Sequence, residues 1–292
     1  MSRVAVAGDR PTGRLHLGNL AGSLAGRAAL QETHRCVFLV ADLRALADPL
    51  LDIRGLSREL VLDWMSAGLD PGRSTFALQS LLPEIGELSL LLDALYPRLL
   101  GRAPRAADLL LFRPDEVPVG EEQAGDVEVA REIARRFNLS FGRVFTEPRA
   151  VVGRTLPGVD GAARMSKSQG NAIHLSDGPR EVERRVRAMS WEAALACHAA
   201  FNPDRGEVED LRRRCRPGDV EAKERLARVL NARLEPLRQR RRELERIDTE
   251  DLLREGSRRA REFAACALEE VRARVRLPPA TGRSRPGSSL HA

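Results

Sequence analysis

Lysine is almost missing. Of the 48 basic side chains, 46 are arginine and only Lys167 and Lys223 are lysine. Aromatic residues make up 4% of the chain, so a core must rest on Leu, Val and Ala. The four cysteines, Cys36, Cys197, Cys215 and Cys266, form no C-x-x-C pair. That spacing excludes a zinc ribbon or a dithiol redox motif and suits free thiols of a cytoplasmic protein. No apolar run reaches the length of a membrane span, and "MSRVAVAGDRP" offers no signal-peptide core. These absences lead us to expect a cytoplasmic chain with no membrane partner and no protein-bound metal.

What is present is a chain of 292 residues, 42% hydrophobic, long enough for two domains. A net charge of +6 and a pI near 9.8 make a polyanionic partner reasonable, although an arginine-rich composition inflates the pI by itself.

"VAVAG" (4–8) predicts a first buried strand, "RCVFLVADL" (35–43) a second and "STFALQS" (74–80) a third. "LAGSLAGRAALQE" and "SRELVLDWMSAGL" predict helices between them. Strands alternating with helices predict a doubly wound parallel α/β sheet. "PDEVPVGEEQAGDVEVAREIARRFN" reads as a loop followed by a helix. The composition shifts near residue 178, and from there to about 277 only helical patterns appear. The tail 278–292, rich in Pro, Gly and Ser, reads as disordered.

Two stretches carry chemistry. "GDRPTGRLHLGN" (8–19) joins the first strand to the first helix. Gly8, Gly13 and Gly18 permit sharp turns or close ligand approach, and the helix N-terminus favours phosphate. His16 and Asn19, one turn apart, can reach the same phosphate or ribose; His16 can equally cap the helix. The second stretch is "GAARMSKSQGNAIHLSD" (161–177). Lys167 within it is a compact charge on a flexible stem where arginine would be a rigid fork. A lysine kept in so arginine-rich a chain suggests a site that needs the compact charge.

The pair "HLGN" and "MSKS" resembles the two signatures of class I aminoacyl-tRNA synthetases. "RPTGRLHLGN", "FLVADLRAL", "VPVGEEQ" with "REIARRFN", and "MSKSQGNAIHLSD" make the chain similar to the tryptophanyl-tRNA synthetase branch over roughly residues 3 to 277. The resemblance implies a Rossmann-like catalytic domain (1–177) with a C-terminal all-helical tRNA-binding domain (178–277). It implies ATP-dependent activation of tryptophan and transfer to tRNA. The partners it implies are tRNA-Trp, the amino acid and a second copy of the chain in a homodimer. ATP would be a substrate, with Mg2+ on its phosphates.

By the same resemblance, Lys167, His16, Asn19 and Arg164 would be catalytic. Arg10, Gly18, Gly120, Glu122, Gln123, Thr155, Leu156, Met165, Ser166 and Ser168 would join them around ATP. Asp108 would accept the indole N–H, with Val6, Arg44, Arg105, Val117, Val119 and Gln123 around the amino acid. In the helical half, Arg212, Arg213, Arg214, Arg238, Arg240, Arg241 and Arg242 are candidate tRNA contacts.

Several positions depart from the family. Arg164 stands for a usual lysine, Glu122 for an aspartate, Val6 for an aromatic, Arg44 for a histidine and Arg105 for a methionine. Two arginines in an apolar slot are costly unless acids pair with them. Between "LSLLLDALYP" and "RAADLLLF" only "RLLGRAP" replaces a longer insertion that carries part of a dimer interface and a phosphate-facing lysine; Arg98 or Arg102 is a candidate replacement for that charge. A second shortening falls around "RAMSWEAALACHAAFN". These departures leave open a paralogue that adenylates another acid, or a non-catalytic tRNA-binding relative.

Overall fold

The computed structural model describes residues 3–99, 101–214 and 220–279. Most of the tail read as disordered therefore lies outside the described residues, as does Cys215. Five strands form one sheet: β1 (Val4–Asp9), β2 (Arg35–Val40), β3 (Ser74–Leu78), β4 (Glu116–Val119) and β5 (Arg149–Val152). Their order is β3-β2-β1-β4-β5, and every pairing is parallel. The doubly wound α/β architecture expected from the strand–helix alternation is therefore present.

The centre of the sheet is covered on both faces, which is why its first three strands read as continuous apolar runs. Successive side chains point to opposite faces. Ala5, Ala7, Phe38, Val40 and Phe76 enter one core; Val6, Val37, Leu39 and Ala77 enter the other. The first core is covered by α1 (Leu17–Asn19), a π-helical turn (Leu20–Leu24), α2 (Ala25–Leu30) and α3 (Ile53–Ser66). The second is covered by α4 (Pro83–Leu95), α5 (Ala103–Leu110) and α6 (Ala124–Phe141).

From residue 179 onward the described elements are helices: α7 (Pro179–Arg187), α8 (Trp191–Phe201), α9 (Arg205–Arg214), α10 (Val220–Leu244) and α11 (Thr249–Arg274). The last of them returns to the sheet. Gly256 lies so close to β3 that a Cβ there would collide with the Phe76 carbonyl oxygen. The neighbouring Ser257 Oγ accepts the Leu78 N–H at 2.9 Å, so α11 covers an otherwise open sheet edge.

β4 stands in the stretch that the sequence reads as a loop, and β5 in one for which the sequence offers no element. Each is four residues long, and β4 carries Glu116 and Pro118, so neither shows an apolar run. Tertiary pairing supplies what local preference lacks: Glu116 is buried and pairs with Arg149 of β5. Pro118 has no N–H to give. The β1–β4 register is a single pair, Ala5 with Glu116, and beyond it the two strands diverge. That divergence, at the C-terminal ends of strands where the winding reverses, is where α/β folds bind ligands.

Candidate active site

Two cavities open in the cleft between β1 and β4. The larger has a volume of about 620 Å3, within the range of nucleotide-sized sites. Arg10, His16, Gly18, Asn19, Gly120, Glu122, Gln123, Thr155, Leu156, Arg164, Met165, Ser166, Lys167 and Ser168 all line it. Sequence reasoning missed Asp9, Thr12, Asp48 and Arg154, which also line it.

The two signature segments are paired directly. His16 and His174 form an isolated antiparallel bridge. Leu17 N–H donates to Ile173 O and Leu175 N–H donates to Leu15 O, both at 2.9 Å. His16 is the N-cap of α1, and its backbone N–H donates to Asn19 Oδ1 at 3.1 Å. Gly18 serves this arrangement first: a Cβ there would stand 2.9 Å from the His16 ring. Burial, helped by the charges of Lys167 and His174, pushes the His16 imidazole down to about 3. It is therefore a neutral hydrogen-bonding group, and its Nδ1 is buried without a protein partner.

The helix continues through a π turn, which frees a carbonyl: Arg154 N–H donates to Ala21 O at 3.1 Å. This ties the segment after Val152 to the first helix, and π turns are frequent at functional sites.

Lys167 reaches across to the first loop, where its Nζ donates to Gly13 O at 2.6 Å. Gly13 has φ +125°, a conformation for glycine alone, and a Cβ there would touch the lysine stem. Burial pushes the Lys167 ammonium below its ordinary range, and the charges of Asp9 and Asp63 push back. Its own loop is stapled by Asn171, whose Oδ1 accepts Ser166 N–H at 2.7 Å and whose Nδ2 donates to Asp160 Oδ1 at 3.0 Å. Arg164 lies exposed on the cavity rim.

The floor is a buried cluster with no sequence signature. Asp9 Oδ2 accepts from Arg27 Nη1 at 2.5 Å and from Trp64 Nε1 at 2.8 Å. Burial raises the Asp9 carboxyl, but Arg27 and Trp64 together hold it below its ordinary value.

The smaller cavity lies deeper between β1 and β4. Val6, Arg44, Arg105, Asp108, Val117, Val119 and Gln123 line it. Its volume is only about 60 Å3, room for a few waters and not for an indole. The reason is Arg44, whose Nη2 stands 3.2 Å from Asp108 Oδ2. Gln79, which sequence reasoning missed, donates to the other oxygen, Asp108 Oδ1, at 2.5 Å. Burial pushes Asp108 up to about 6 against the pull of Arg44 and Gln79.

Arg105 turns outward to Asp126 at 2.8 Å, with its side chain 55% exposed. Each of these two arginines has thus found an acid: Arg44 faces Asp108 at the end of the slot, and Arg105 pairs with Asp126 at its edge. Arg98 and Arg102 are exposed, and neither lines the large cavity.

Two candidate tRNA contacts also point elsewhere. Arg238 is buried, donating to Asp177 O at 2.8 Å, and Arg241 pairs with Glu59 and the buried Asp63 of α3. Arg212, Arg213, Arg240 and Arg242 remain exposed; the Arg214 side chain lies outside the described residues.

Comparison with known proteins bears directly on this geometry. The model of the class I tRNA synthetases (W and Y) matches residues 2–103 and 95–234. The chain is 41% identical to the tryptophan–tRNA ligase of Treponema pallidum over 319 positions, 91% of this chain and 95% of that protein. It is 31% identical to that of Aquifex aeolicus over 393 positions, covering 94% and 99%. Both alignments exceed the 292 residues of this chain, so the relatives carry segments it lacks. Among solved structures, the tryptophanyl-tRNA synthetase from Campylobacter jejuni complexed with ADP and tryptophan superposes with a TM-score of 0.74 at 25% identity, covering 94% of this chain and 100% of that one. The Mycoplasma pneumoniae structure superposes at 0.79 with 21% identity, covering 95% and 99%, and shows the shared fold.

Proposed function

The chain belongs to the class I tRNA synthetases for tryptophan and tyrosine, and from that premise we propose that it works as a tryptophan–tRNA ligase, with ATP as its co-substrate. The observation that carries this reading is one juxtaposition. A nucleotide-sized polar cavity under two paired signature loops abuts an apolar-walled slot that ends on a buried carboxylate.

In the first step a carboxylate oxygen of the amino acid attacks the α-phosphorus of ATP, and the bond to the bridging oxygen breaks, releasing pyrophosphate. In the second, the terminal ribose hydroxyl of tRNA attacks the adenylate carbonyl, releasing AMP. No protein nucleophile is required, so positioning and charge stabilisation carry the work. Neutral His16 and the α1 N-terminus hold phosphate oxygens. Gln123 lines both cavities and stands where the amino acid meets the nucleotide. Lys167 neutralises charge growing on the pyrophosphate, with Arg10 and Arg164 on the rim. Magnesium would arrive on the ATP phosphates; such an ion keeps most of its waters and needs one or two carboxylates at most. Asp48 and Glu122 on the cavity wall fit that need.

The test is ATP–pyrophosphate exchange with each amino acid in turn. Tryptophan should drive exchange well above any other. Exchange driven by a different acid would favour the paralogue reading, which the Arg44–Asp108 pair supports. No exchange with any acid, in protein that still binds ATP, would favour the non-catalytic relative.

We place tRNA recognition on the helical half (178–277), with tRNA-Trp as the partner, a homodimer as the working form and the cytoplasm as its compartment. Arg212, Arg213, Arg214, Arg240 and Arg242 are the remaining phosphate contacts. Five such contacts would give a log–log salt slope of about −4, measured by filter binding between low and physiological salt. A flat dependence would remove the phosphate footprint from these helices.

A further inference from the structure

The two inward-turned arginines of α10 both end on the scaffold of the signature loops. On α10 the buried stripe Leu226, Leu230, Leu234, Leu237 continues at helical spacing to Arg241. Arg241 Nη2 pairs with Glu59 Oε2 at 2.5 Å, and its Nη1 bonds Asp63 Oδ1. Asp63 is fully buried. Its other oxygen, Oδ2, accepts the backbone N–H of Leu15 at 2.7 Å. Leu15 immediately precedes His16, and its carbonyl is held by Leu175.

One turn earlier, Arg238 Nε donates to Asp177 O, while Asp177 Oδ2 accepts the His174 N–H at 2.9 Å. The helix thus grips both strands of the bridge between the two signatures. A carboxylate with one oxygen on a backbone N–H and the other on a guanidinium has its rotamer fixed from both sides. Releasing the guanidinium frees the carboxylate to turn, and the Leu15 N–H loses its acceptor. Misplacing a reacting group by about 1 Å can cost roughly 100-fold in rate, and His16 is the next residue.

We propose that Arg241 is a positioning residue for the activation step: through Asp63 it sets the backbone of Leu15, and hence the placement of His16 against the nucleotide. The inference rests on the adenylating activity proposed above, but one arm of its test does not. In the first arm, ATP–pyrophosphate exchange is followed in Arg241→Met, Arg241→Lys and Glu59→Gln. Arg241→Met should lower kcat by about 10- to 100-fold with the KM for tryptophan little changed. Arg241→Lys, which can still reach Asp63, should recover much of that loss. Glu59→Gln, which removes the outer partner and leaves the Asp63 bond, should keep wild-type kcat. Binding of tRNA should be unaffected in all three.

The second arm is amide hydrogen exchange over residues 13–19, read by mass spectrometry. It should quicken at least tenfold in Arg241→Met, with β2 unchanged. Unchanged exchange in that segment would overturn the proposal whether or not the wild type activates tryptophan. So would a loss of tRNA affinity with kcat intact, which would make Arg241 a phosphate contact. Wild-type inactivity together with faster exchange at 13–19 would sink the function and leave standing only the hold of Arg241, through Asp63, on the Leu15 backbone.

Discussion

Replacing Lys167 by alanine should lower the rate of pyrophosphate exchange by about 100- to 1000-fold, the usual cost of losing one donor to developing charge. The KM for ATP should stay within about threefold, because a contact made mainly in the transition state contributes little to ground-state binding. The geometry explains the split. Lys167 Nζ uses one donor on Gly13 O at 2.6 Å and keeps two for phosphate oxygens. It also lies across a glycine of positive φ, so its stem can follow the leaving pyrophosphate without striking a side chain. A Lys167→Arg variant would keep the charge, but a planar fork cannot keep the single short bond to Gly13 O while it tracks a moving group. We expect that variant to fall between alanine and wild type. A fully active arginine variant, in a chain that has put arginine nearly everywhere else, would show that the compact ammonium is not what the site needs.

Legibility from sequence followed the range of the forces at work. β1, β2 and β3 are visible because strands buried on both faces must be continuously apolar. β4 and β5 are not, because four residues containing Glu116 and Pro118 become a strand only between their neighbours. The nucleotide loops were legible because their demands are local: glycines for turns, a cap, one lysine. The Asp9–Arg27 pair and the Asp63–Arg241 bond were not, since an aspartate at a strand end or on a helix reads as a solvated one until its partners arrive. Asp63 meets Leu15, 48 positions away, and Arg241, 178 positions away. A signal did exist for Arg241: it sits on the leucine stripe of α10, where an outward arginine should not be. Arg44 and Arg105 both line the slot, but Arg44 faces Asp108 whereas Arg105 turns to Asp126 at the edge with most of its side chain exposed.

Asp108→Ala should remove most of the preference for tryptophan over phenylalanine, on the order of 100-fold or more, because a site that pairs a substrate N–H with a buried acceptor rejects analogues lacking that group by up to about 10⁴–10⁵. The same carboxylate is now shared. Gln79 holds Oδ1, and Arg44 stands 3.2 Å from Oδ2, the oxygen an indole N–H would take. Tryptophan must therefore displace the guanidinium before it can bind, and part of its affinity goes into separating a partly buried ion pair. Arg44 can leave, since its side chain keeps 28% exposure toward the larger cavity. Arg44→His should then lower the KM for tryptophan by about tenfold, a difference of about 1.4 kcal/mol, with kcat little changed. Arg105→Met alone should do almost nothing, because that charge is already paired at the rim. The double variant should match Arg44→His. If Arg44→His leaves the KM for tryptophan unchanged, the guanidinium is no obstacle and moves aside freely. If instead the variant loses activity toward whichever acid the wild type prefers, Arg44 is a recognition group. The slot would then be built for a substrate that brings its own acceptor to the arginine beside Asp108.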